Sequence, residues 1–247
     1  MNCADSESSS AALSWQLVLE NTGYISFDQL HRIFHLHPDT IELPTDVLIF
    51  QEALWQRSLF ERGRHTLHRA LITECYIHLH PRIQNWQLAG TLYGLYPDAI
   101  IHAPAYPLPI LLEMDTGKET AKQWRSKLTT YRLEAWANPH FALWVIALGG
   151  NIRLSHLHNW IMQQKLPIAW HLSGAAKIDT DADFWQSMNV NPPGTATADQ
   201  RKELRYRELG KTQNLSGEEV NQRLHAGWII TAKEITNEGF LCYLKSP

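Results

Sequence analysis

The stretch YPDAIIHAPAYPLPILLEMDTGKETAKQWRSKLTTY, residues 96–131, decides the fold. At its centre PILLEMD, 109–115, is an apolar run that ends in two acids. Alternate side chains of an extended strand share a face, so Glu113 and Asp115 point one way and Leu112 and Met114 the other. A shorter run, DAIIH at 98–102, precedes it across the proline-rich loop HAPAYPLP. Two such runs joined by a loop pair as antiparallel strands, which brings Asp98 toward Glu113. The acids are followed by a helix over about 119–136. On it Lys127 and Tyr131 stand i and i+4, one face that overhangs the end of the strand.

Outward from this stretch the pattern stays regular. WQLAGTLY at 86–93 predicts a strand before the other two. FALWVIAL at 141–148 is continuously apolar and reads as a strand buried on both faces, in a parallel position. A helix over about 153–164 and a strand over 167–173 follow. Upstream, RHTLHRALITECYIHL repeats Leu67, Leu71, Cys75 and Leu79 at four-residue intervals, an amphipathic helix with Glu74 beside its stripe. Helix, three strands, helix, strand, helix, strand predicts a mixed α/β layer fold. Its first three strands form a meander, and its later strands are reached by helical crossovers.

Two flanking segments complete the organisation. Residues 1–62 hold a polar tail and a small, all-helical, helix-turn-helix-like segment. It comprises a helix over 13–22, a second opened by a capping box at Ser26 and Gln29, and a third over about 45–61. The third is expected to start at Thr45 or Asp46 and to turn Val47, Leu48, Leu54, Trp55 and Leu59 inward. Residues 63–178 form the core. Residues 179–247 begin as a linker and continue as a basic helix, a second helix with a Ser216–Glu219 capping box, and a hairpin from WIITAKEI and FLCYLKS, a winged-helix-like order of parts. Arg201, Lys202, Arg205 and Arg207 on the basic helix are candidate DNA phosphate contacts. They alternate with Glu203 and Glu208, as on a solvated helix face.

Composition narrows the function classes. With 247 residues, 44% hydrophobic and 19% charged, the chain can bury a sizeable core without covalent staples. A net charge of −3 excludes a polycation that coats nucleic acid, so any such binding uses local patches. Cys3, Cys75 and Cys242 are far apart and odd in number, which argues against a disulfide framework and for a reducing compartment. The acidic N-terminus lacks the features of a signal peptide, and no apolar run approaches membrane-spanning length. A cytoplasmic protein without membrane contact is expected. The pairs His78/His80 and His156/His158 lack cysteine partners and the i, i+4 spacing of a helical zinc pair.

Asp98, Glu113 and Asp115 at one sheet end ionise together poorly without a counter-charge. A hard divalent cation with oxygen ligands, Mg²⁺ first and Mn²⁺ as its substitute, meets that need. Pro97-Asp98, a hairpin loop and then Glu113-Met114-Asp115 after an apolar strand resemble the PD-(D/E)xK nuclease superfamily, whose αβββαβ core has the same order. Lys127-Leu-Thr-Thr-Tyr131 stands where many members carry Q-x-x-x-Y, and Glu74 where they carry an acid on the first helix. HTLHRAL, YPDAII, LLEMDTGKE and KLTTY, in that order, resemble more closely the replication-relaxation family of plasmids and mobile elements, over about 64–175.

The resemblance implies a restriction-endonuclease-like core and metal-dependent DNA endonuclease activity in a mobile element or defence system. Asp98 and Glu113, joined by Glu74, would hold Mg²⁺ or Mn²⁺, with Asp115 and Lys127 in the chemistry and Tyr131 in support. It also implies DNA and the proteins of a mobile-element or replication complex as partners. One departure stands out. The superfamily's lysine normally follows the acid by two residues, and here that slot is Asp115. Lys127, or else Lys118 or Lys122, supplies the charge from the helix, or the fold is a degenerate nuclease kept for DNA or partner binding in plasmid replication or transfer. The nuclease subunit of a heteromeric transposase, which also joins such a core to a winged helix, is a further alternative.

Overall fold

A computed structural model describes residues 13–61, 65–104 and 106–178, and further on residues 211–216, 218–219, 222, 226, 229–236 and 239–245. The chain opens with α1 (Trp15–Thr22), whose N-cap Ser14 accepts a hydrogen bond from the Leu17 amide and whose end is closed by Gly23 at φ +67°. Strand β1 (Tyr24–Ser26) leads into α2 (Phe27–Phe34). The expected capping box is formed. Gln29 N–H donates to Ser26 Oγ, and the Ser26 amide donates back to Gln29 Oε1, each at 3.1 Å.

The helix expected over 45–61 is instead a hairpin, β2 (Val47–Ile49) and β3 (Ala53–Gln56), with only one helical turn after it, α3 (Arg57–Phe60). Gln51 and Glu52 both take positive φ, the two-residue turn whose twist suits paired strands. The sheet runs β1-β3-β2, all antiparallel. Tertiary burial outweighs the helical spacing: Ala53, Leu54 and Trp55 are fully buried, and Trp55 meets Tyr24 edge-on at 4.7 Å. The opening segment is therefore α/β rather than all-helical.

The central layer is a five-stranded sheet in sequential order: β4 (Asn85–Leu88), β5 (Ala99–His102), β6 (Ile110–Asp115), β7 (Ala142–Ala147) and β8 (Trp170–Gly174). The first three strands are antiparallel, as a meander requires, and the last three parallel. Helix α4 (Thr66–Leu79) precedes the sheet. Helices α5 (Ala121–Ala137) and α6 (Gly150–Gln164) are the crossovers.

Every residue of β6 and β7 is buried, so helices cover both faces. On one face Ile72, Cys75 and Leu79 of α4 join Leu112, Met114, Trp144 and Ile146; Val18, Ile25 and Leu30 of the opening segment share this cluster. On the other, Trp124, Leu128 and Tyr131 of α5 and Leu157 and Ile161 of α6 join Leu111, Leu143 and Val145. No helix among the described residues is long and apolar enough to cross a membrane.

Further on, β9 (Lys211–Leu215), β10 (Ile229–Thr236) and β11 (Gly239–Lys245) form a second antiparallel sheet in the order β10-β11-β9. The expected hairpin is present, and the Ser216–Glu219 capping box is made at 2.8 and 3.3 Å. Arg201, Lys202, Arg205 and Arg207 lie outside the described residues.

Candidate functional site

The two faces of β6 meet the helices differently. Its odd-numbered acids turn toward α5 and α6, its even-numbered apolar residues toward α4. Asp98 stands one residue ahead of β5, where its amide donates to the Leu112 carbonyl and its carbonyl accepts from Ala89. Its side chain bends over the neighbouring strand, and Oδ2 accepts the Met114 amide at 2.7 Å. The same oxygen lies 3.1 Å from Nε2 of His68, in the first turns of α4. Glu113 is 3% exposed and has both oxygens engaged from α5. Tyr131 O–H donates to Oε1 at 2.6 Å and Lys127 Nζ donates to Oε2 at 3.0 Å. The predicted i, i+4 face of α5 thus lies on Glu113. Thr120 and Gln123 cap the start of that helix reciprocally.

The electrostatics separate the two acids. Burial pushes the Glu113 carboxyl up to about 7; Lys127 pulls it back, and the Asp98 charge adds to the rise. Burial acts the same way on Asp98. There the His68 hydrogen bond and charge, the Met114 amide and Lys127 outweigh it and hold the carboxyl below its ordinary value. Burial works against the Lys127 charge, but Glu113 and Glu119 raise its pKa above the ordinary, so the ammonium persists. Burial, then the Glu113 charge, holds the Tyr131 phenol well above its usual range, leaving a constant proton donor. One carboxylate kept ionised beside one poised near neutrality is the pattern of acid–base and metal sites.

Beside this cluster opens a cavity of about 560 Å³, walled by His65 and His68 of the α4 approach, by Asp98, and by Lys118, Glu119 and Lys127. Of the residues expected from the sequence, Asp98, Glu113, Lys127 and Tyr131 come together. Lys118 lines the cavity with its side chain in solvent, whereas exposed Lys122 does not line it.

Glu74 does not reach this place. Its carboxylate accepts from Arg32 and Gln29 of α2 and lies 3.1 Å from His78 Nε2, so it ties the opening segment to α4. Burial there is outweighed by the Gln29 and Arg32 hydrogen bonds, which hold its pKa below the ordinary value. Asp115 is likewise not in the cavity. It is fully buried, receives two hydrogen bonds from Arg153 of α6, and also accepts from Trp124 Nε1 and the Gly117 amide. Its expected part in metal chemistry gives way to a buried ion pair.

Two cavity residues were not singled out as site residues from the sequence. His68 lies in the HTLHRAL motif, but only the fold sets it against Asp98. Glu119 sits in the turn before α5, its Oε1 3.1 Å from Lys127 Nζ. The carboxylates that line the cavity are Asp98 and Glu119, and Glu113 lies buried beside Lys127 with both oxygens already engaged. No group of three or more His, Cys, Asp and Glu converges on a metal position among the described residues. No family model, curated protein or solved structure matches the chain.

Proposed function

We propose that this chain is a metal-dependent deoxyribonuclease with a restriction-endonuclease-like core, of the replication-relaxation kind, acting in a mobile element or defence system. The observation that carries the reading is the Lys127 ammonium, 3.0 Å from buried Glu113, lining the cavity that Asp98 also lines. A cation thus reaches the site from α5 although Asp115 occupies the usual lysine slot. The order of helices and strands and the antiparallel-then-parallel sheet support the core assignment. The paired C-terminal strands and the formed Ser216 cap support a winged-helix-like module.

Two carboxylates, one of them held near neutrality by burial, fit Mg²⁺, which takes one or two acids and keeps several waters. Asp98 and Glu113 would hold it, with Mn²⁺ as a substitute. Such an ion, when bound, lowers the pKa of its water and polarises the phosphoryl oxygen. The protein groups do the rest. His68 and the Met114 amide fix the Asp98 carboxylate, Tyr131 fixes Glu113, and Lys127 faces the charge that develops on a phosphate in attack. One observation favours a second reading, a noncatalytic protein of plasmid replication or transfer: both Glu113 oxygens are already engaged within the protein. Cleavage of supercoiled plasmid and oligonucleotides with Mg²⁺ or Mn²⁺ separates the two. The nuclease reading expects cleavage by the wild type and none by Glu113→Ala. Intact DNA binding without cleavage of any substrate form would overturn it.

A further inference from the structure

A lysine that works from a helix, rather than from the strand beside its acid, needs something to hold it. The Lys127 side chain is 30% exposed and has a long flexible stem, so Glu113 alone would leave it free to swing into solvent once that acid turned to an ion. The structure supplies two further contacts. Glu119 Oε1 lies 3.1 Å from Nζ, and the Trp124 ring lies 4.9 Å from it in a cation–π position.

Both contacts lead back to Asp115. Its Oδ1 accepts from Trp124 Nε1 at 3.2 Å, fixing the ring. The same oxygen accepts the Gly117 amide at 3.1 Å, which folds the turn through Gly117 at φ +79°, a conformation that suits glycine. Arg153, paired with Asp115, donates on to the Glu119 carbonyl at 2.9 Å. The residue in the usual lysine slot therefore anchors the backbone of the carboxylate and the ring that flank the displaced lysine.

Resting on the nuclease reading, we infer that Glu119 is a positioning residue, anchored by the Asp115–Arg153 pair, that holds the Lys127 ammonium at the scissile phosphate. Glu119 is a third exposed, and its substitution leaves the Thr120–Gln123 cap untouched, so its variants fold. Single-turnover DNA cleavage is measured for wild type, Glu119→Gln, Glu119→Asp, Lys127→Met and the double variant Glu119→Gln/Lys127→Met.

Glu119→Gln lowers the cleavage rate roughly 10–100-fold, the usual loss for a group that orients an acting side chain, with DNA affinity unchanged. Glu119→Asp recovers part of that loss, and the double variant is no slower than Lys127→Met alone. Wild-type rate in Glu119→Gln, or losses that multiply in the double variant, overturns the inference. Acetylation by an N-hydroxysuccinimide ester, read at Lys127 by peptide mass spectrometry against exposed Lys122, tests the same contact without catalysis. Lys127 labels several-fold faster in Glu119→Gln, and equal labelling overturns the inference. A wild type that cleaves nothing refutes the nuclease reading, while the labelling result still decides the role of Glu119.

Discussion

Glu113→Gln removes a pH dependence from the stability of the fold. Glu113 is buried, and that burial carries its carboxyl from an ordinary 4.5 to about 7. Between those values the folded chain keeps a proton that the unfolded chain has released. Stability therefore falls as pH rises through the window, and the full cost is present above about 7. At 1.36 kcal/mol for each tenfold change, the cost amounts to about 3 kcal/mol. Glutamine keeps an oxygen to accept from Tyr131 or Lys127 but has nothing to titrate. Urea unfolding of both proteins, followed by tryptophan fluorescence from about pH 4.5 to pH 8, isolates this group, because the groups its charge acts on, Asp98, Lys127 and Tyr131, ionise outside that range. The stability difference moves in favour of the variant by about 3 kcal/mol across that range. A difference that stays level with pH refutes the assignment of Glu113 as an acid whose pKa burial has raised.

Two more expectations follow from the same geometry. Arg153→Met strands a fully buried Asp115 carboxylate and costs about 3–5 kcal/mol, read as a drop in Tm; Arg153→Met with Asp115→Leu recovers most of it, and a loss under about 1 kcal/mol would contradict the buried pair. Mn²⁺ affinity by calorimetry tightens up to about tenfold per pH unit as Glu113 loses its proton below about 7, then levels off; a pH-independent affinity would exclude Glu113 as a ligand.

How far the fold was legible depended on where a single period governed. In β6 and β7 it did: the apolar runs are buried throughout, and the alternation of Leu112, Glu113, Met114 and Asp115 assigned both faces correctly. Lys127 and Tyr131 were legible for the same reason, since i and i+4 on one helix is a local relation. Between 45 and 61 two periods competed. Val47, Leu48, Leu54, Trp55 and Leu59 fit a helix, while the hairpin turns on Gln51 and Glu52, neither a usual turn residue. Long-range pairing was out of reach. Arg153 lies 38 residues from Asp115, and Glu74 finds Arg32 at a separation of 42. Neither spacing carries a signal, so both acids were read toward the cavity when each answers a guanidinium elsewhere. His68 and Glu119 needed the assembled sheet end to acquire meaning.

The claim at the centre is that a lysine from α5 completes a site made by Asp98 and Glu113. Single-turnover cleavage of plasmid by Lys127→Met, beside wild type and with DNA affinity measured on both, tests it most directly. A roughly 10²–10³-fold loss of rate, with affinity unchanged, is the predicted outcome. Cleavage by Lys127→Met at the wild-type rate would contradict it.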